Sequence, residues 1–186
     1  MKSIKLFAAV ALCVAAISSC DEEPEPPNQE ELITSVNLTL TPSGIIPMPI
    51  VTLSFLDLDG DGGNPPVITE GTLMPSTQYS VEIELLNESL SPAADITAEV
   101  EAEGVDHQFF YSSTDLDLDV LYADTDFDGN PIGIASEWTT GTAGDGTITV
   151  TLRHQPLKTA SGVMDGDITN AGGVTDIQVT FDIEIQ

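Results

Sequence analysis

Ile177-Gln178-Val179-Thr180-Phe181-Asp182-Ile183-Glu184-Ile185 alternates apolar and polar side chains without a break. Successive side chains of a strand point to opposite faces, so this period of two describes a strand with one face buried and the other wet. The same alternation recurs upstream in Val36-Leu38-Leu40, Val51-Leu53-Phe55, Tyr79-Val81-Ile83-Leu85, Leu116-Leu118-Val120-Tyr122 and Ile148-Val150-Leu152. Phe109 to Ser112 and Ile134 to Trp138 add two less regular candidates. Prolines such as Pro65, Pro75, Pro131 and Pro156 fall between the runs, where a missing N–H breaks no ladder. The expectation is a mainly β chain, a single antiparallel β-sandwich of about eight strands.

One segment departs from this period. Ser91-Pro92 leads into Ala93, Ala94, Ile96, Ala98, Val100 and Ala102 before Gly104. That order supplies an N-cap, a proline at the first helical position and a closing glycine, so it predicts one short helix. Ile96 and Val100 are four apart and would bury one stripe of it. Asp115, Asp117 and Asp119 alternate with Leu116 and Leu118 and are expected on the wet face of one strand.

Residues 1–19 read as a lipoprotein signal peptide. Lys2 and Lys5 precede an apolar run from Leu6 to Ile17, which at twelve residues is short of the roughly 20 that span a bilayer. Ser18-Ser19 then supply small side chains before Cys20, and the whole resembles the lipobox of bacterial lipoproteins, whose cysteine carries a diacylglyceryl group. Cys13 lies inside the signal, so Cys20 is left without a disulfide partner and is expected to be the lipidated residue. Residues 20–31 open on Cys20 and continue from Asp21 as DEEPEPPNQEE, acidic, rich in proline and without an apolar side chain. Such a stretch cannot bury enough surface to fold. It is expected to be an extended tether that lifts the domain, residues 32–186, on the order of 30 Å from the lipid.

Loss of residues 1–19 leaves Arg153 and Lys158 against 31 carboxylates. The net charge is then about −29, which repels nucleic acid and anionic lipid headgroups; neither is an expected partner. Membrane attachment is expected through the N-terminal lipid alone.

Two loops share the spacing DxDxDG: Asp57, Asp59 and Asp61 in one, Asp124, Asp126 and Asp128 in the other. Three alternating carboxylates before a glycine can wrap Ca²⁺. An EF-hand would need a bidentate Glu at position twelve, where Ile68 and Ala135 stand, so a calcium loop here is of another kind. Asp, Gly and Asn also make ordinary turns, the commoner reading. His107 and His154, the two histidines, each lie at a strand boundary. Brought together with an acid such as Asp106, they would form a Zn²⁺ or Cu²⁺ site. No catalytic residues are assigned: GxSxG, HExxH and a glycine-rich phosphate loop are absent from the sequence.

The segments EELITSVNLTLTP, DLDGDGGNPPVITEG, LLNES, DHQFFY, DTDFDGNPIG, TLRHQP and DGDITNAGGVTDIQVTFDIEIQ together resemble a family of small Bacteroidota lipoproteins often encoded beside TonB-dependent outer-membrane receptors. The acids directly after Cys20 are similar to the signal that exports such lipoproteins to the cell surface. Members are often labelled as having a type 1 periplasmic-binding fold, but that fold alternates strands with helices and these runs do not. The resemblance implies a lipid-anchored, non-enzymatic binding module on the outer membrane, at its surface or its periplasmic face, accessory to nutrient or metal uptake by a TonB-dependent receptor. The alternative is a structural or adhesive surface lipoprotein with Ca²⁺-stabilised loops.

Overall fold

A computed structural model describes residues 32–44, 48–60 and 63–186. Along them run β1 (Ser35–Pro42), β2 (Val51–Leu56), β3 (Val67–Thr69), β4 (Gly71–Leu73), β5 (Gln78–Asn87), β6 (Ala94–Asp95), α1 (Ile96–Ala102), β7 (His107–Thr114), β8 (Leu118–Tyr122), β9 (Ala135–Thr140), β10 (Gly144–His154) and β11 (Val174–Ile185). All eight alternating or near-alternating runs are strands. Three further strands, β3, β4 and β6, are two or three residues long, too short for a period of two to register.

The strands form two sheets that face each other without closing into a barrel. One has seven strands in the order β3-β2-β1-β5-β9-β8, with β6 attached to β5; the other has four in the order β4-β11-β10-β7. The registers explain the core. Leu38 lies opposite Leu53 on one side and Ile83 on the other, and in the second sheet Ile148 faces Phe181 while Leu152 faces Phe109. Apolar positions of neighbouring strands therefore fall on one face, and the two apolar faces meet in a single buried cluster. Each fully buried Leu, Ile or Phe contributes roughly 1.5–3 kcal/mol there. Trp138, the largest buried side chain, satisfies its indole N–H on the Ser136 hydroxyl at 2.9 Å.

Three details correct the sequence reading. The strand pairs are antiparallel except one: β4 runs parallel to β11, with Gly71 opposite Ile183. The helix begins later than Ser91, because Ala94 and Asp95 pair with Asn87 and Leu86 at the end of β5. Its cap is Asp95, whose carboxylate accepts from the Ala98 N–H at 3.1 Å. Ile96 and Val100 are its buried stripe, as expected. Strand β8 starts at Leu118, so Asp115 and Asp117 precede it. Asp115 sits at φ +59°, and the Asp117 carboxylate accepts from the Thr142 N–H at 2.8 Å, closing the loop before β10.

Residues between β10 and β11 fold as a lobe with two 3-10 turns, Val163–Asp165 and Ile168–Asn170. The lobe lies on the outer face of the four-stranded sheet, where Phe110, Val163 and Ala171 make a second small core. No helix among the described residues is long and apolar enough to cross a membrane.

Candidate functional site

Strands β7 and β10 are paired along their length, and the register sets His107 opposite His154 at the end of the ladder. The preceding core pair on the same face is Phe109 and Leu152, so the two imidazoles close one end of the space between the sheets. Their ring centroids are 4.7 Å apart, edge to face.

The third member of this cluster is Asp176. Strand β11 pairs Ile177 with Leu152 and Thr175 with Arg153, so Asp176 has no place in the ladder and is the extra residue of a β-bulge. A bulge re-aims a side chain. In an unbroken alternation Asp176 would join Gln178 and Thr180 on the wet face. The bulge turns it inward instead, until its Oδ2 stands 3.8 Å from Nε2 of His107. One donor atom each from His107, His154 and Asp176 lies within 4.8 Å of the others. This is the single histidine–acid cluster of its kind among the described residues. Asp106, the acid next to His107 in sequence, is exposed and does not belong to it.

His107 is 3% exposed, and its Nδ1 lies 3.2 Å from the Glu103 carbonyl just past the end of α1. A carbonyl only accepts, so Nδ1 carries the hydrogen and Nε2 turns its free valence to Asp176. A metal cation between Nε2 and the carboxylate takes one ligand atom from each. The same hydrogen bond orients the ring. Two imidazole nitrogens and one carboxylate oxygen suit Zn²⁺ or Cu²⁺ and leave a coordination position open. A tetrahedral zinc holds its donors roughly 3.4 Å apart, so binding draws the three side chains together.

Gly173 makes the approach feasible. It sits at φ +70°, and a Cβ there would stand 2.3 Å from the His154 carbonyl oxygen. Asp176 also lines a cleft of about 480 Å³ together with Ile33, Phe55, Asp57, Asp59 and Ile177.

The aspartate loops have a different geometry. In the first, Asp57 Oδ1 accepts from the Gly60 N–H at 2.8 Å and Asp59 Oδ2 from the Asn64 side chain at 2.7 Å; these two carboxylates hold a turn together. The Asn64 contacts hold the Asp59 carboxyl below its ordinary range. Asp61 lies outside the described residues, as does Cys20. In the second loop Asp124 accepts from the N–H groups of Gly133 and Ala135 at 2.7 and 2.9 Å. Asp126 Oδ1 accepts from the N–H groups of Asp128 and Asn130, both at 2.9 Å, and its Oδ2 accepts from Lys158 Nζ at 2.8 Å. Asp128 itself is exposed.

Lys158 and Asp126 are 5% and 1% exposed. The ammonium also donates to the carbonyls of Gly104 and Pro131, so each of its three hydrogens has an acceptor. Two carbonyls and a carboxylate are the ligand types calcium takes. Here they hold a cation that the chain itself supplies. Burial pushes the Asp126 carboxyl up, but the Lys158 ammonium and the two backbone N–H groups outweigh it and hold the group below the ordinary carboxylate range.

Sequence alone brought His107 and His154 forward and missed Asp176 and Lys158. Asp176 was hidden because it stands in phase with the polar positions of β11, and Gly172-Gly173 just before it was the one sign that the strand does not start regularly. Compared with protein-family models, with curated proteins and with solved structures, the chain matches none.

Proposed function

We propose that this chain is a lipid-anchored, non-enzymatic binding module of the cell envelope that takes up a divalent transition metal, Zn²⁺ or Cu²⁺, at His107, His154 and Asp176, and serves a TonB-dependent uptake system. The observation that carries the reading is the histidine pair, set side by side by strand register and completed by an acid on a bulge. Three ligands with a cleft alongside suit a module that must release its ion as well as bind it, because one coordination position stays open to water or to a partner's ligand. The signal sequence ending at Cys20 and the acidic stretch after it support attachment to a membrane surface by a tether. The alternative of a structural or adhesive protein with calcium-stiffened loops has less support, since the carboxylates of Asp124 and Asp126 are occupied by backbone N–H groups and by Lys158.

Thermal unfolding with and without metal tests the site. Micromolar Zn²⁺ or Cu²⁺ is expected to raise Tm by mass action, since the unfolded chain does not hold the three ligands together. His107→Ala and His154→Ala are each expected to abolish the increment, and Asp176→Asn to weaken it. An increment that survives both histidine substitutions would be diffuse binding to surface carboxylates and would end the proposal.

A further inference from the structure

The turn that follows Asp126 is held by a set of hydrogen bonds centred on that residue. The Asp126 N–H donates to the Asn130 carbonyl at 2.7 Å, the Gly129 N–H donates to the Asp126 carbonyl at 3.1 Å, and the Asp126 carboxylate accepts from two backbone N–H groups and from buried Lys158. What this turn presents is Phe127, whose side chain is 100% exposed. A benzyl group in water adds nothing to the core. Val105, 44% exposed, lines the same cleft of about 350 Å³ as Phe127, between the end of α1 and the Asp124–Ala135 segment. Gly104 and Asp126, the residues next to these two in the chain, are both bonded to Lys158. Leu157, the neighbour of Lys158 itself, is exposed as well.

We infer that Phe127 and Val105 form a docking surface for a protein partner whose own surface offers an apolar recess rimmed by lysine and arginine. An aromatic side chain on a hydrogen-bonded turn loses little entropy on docking, which is the property of an interface anchor. Charge selects the partner. Glu101 and Asp124 line the cleft with Phe127, and Glu103, Asp106 and Asp128 are exposed close by in the chain. Beyond Lys5 the sequence contains two basic side chains, and Lys158 is buried. A second copy of the chain thus has no basic rim to offer, and anionic lipid is repelled. The inference does not depend on the metal reading.

The test places a benzophenone-bearing photo-crosslinking residue at position 127, at 105, or at Val67, an apolar control on β3 that is 64% exposed, in the full lipidated chain in cells. Irradiation is expected to give one discrete heterodimeric adduct from 127 and from 105 and none from 67. The crosslinked partner peptide is expected to carry Lys or Arg beside apolar residues. With the probe at 105, Phe127→Ser is expected to cut the adduct at least about tenfold, as loss of an anchor residue does. The Tm of purified Phe127→Ser is expected to match the parent, which separates lost docking from lost folding. An adduct with a second copy or with lipid, a partner peptide without basic residues, equal labelling from position 67, or no adduct at 127 would each overturn the inference.

Discussion

Lys158 shows how much a single side chain decides in a domain with so few cations. Removing a charge from water is expensive, and a buried ion pair recovers that cost only when every donor and lone pair is matched. Lys158 meets the condition, with three acceptors for three hydrogens. Lys158→Met leaves the Asp126 carboxylate buried without its cation and is expected to cost about 3–5 kcal/mol in urea unfolding at pH 7. The double variant Lys158→Met, Asp126→Leu is expected to regain part of that loss. A cost below about 1 kcal/mol for the single variant would show the pair to be a surface contact in energetic terms. The pH dependence has a fixed sign. The folded Asp126 carboxyl titrates below its unfolded value, so its contribution is fully present above the unfolded pKa of about 3.9 and is lost as pH falls through the lower folded value. Tyr122 titrates at the other extreme: burial pushes its hydroxyl up to about 12, so it stays protonated while donating to the Phe109 carbonyl beside the site.

At the scale of elements, the alternating runs were legible because burial on one face of a sheet repeats every second residue, whatever the strand's partner. Ile177 to Ile185 and Tyr79 to Leu85 could be read as strands without knowing what they pair with. Partner choice was not legible, since nothing in the local pattern of Gly71–Leu73 points to a parallel seat against β11. The start of α1 misled for a related reason: Ser91-Pro92 has the composition of a helix entry, but Ala94 and Asp95 gain ladder hydrogen bonds to β5 that a longer helix would forgo. Of the candidate site, the histidines were legible as residue types. Asp176 was not, because a bulge changes where a side chain points without changing the sequence period around it. The cap is the testable part of α1. Asp95→Ala removes the acceptor for the Ala98 N–H and is expected to cost about 1 kcal/mol, measured by chemical unfolding. No measurable loss would mean that packing of Ile96 and Val100 alone fixes the helix.

The described residues form a two-sheet body, and the chain as a whole carries a strongly negative charge. Cys20→Ala is expected to move the protein from the detergent-soluble membrane fraction to the aqueous one. Retention on the membrane, together with no labelled fatty acid on the parent chain, would overturn the anchoring. The parallel pair of β4 and β11 bears on how such a molecule comes into being. Gly71 must wait for Ile183, and β11 also carries the bulged aspartate and the core side chains Val179, Phe181, Ile183 and Ile185. The larger sheet is built wholly from segments that precede β10, so it can assemble early, but with its oily side bare. Closure of long sequence separations is slow, and a chain delivered N-terminus first stays open until its last strand arrives. The segment that completes the core thus follows the larger sheet in synthesis, and until it arrives the bare apolar face of that sheet is the surface on which the emerging chain is exposed to aggregation.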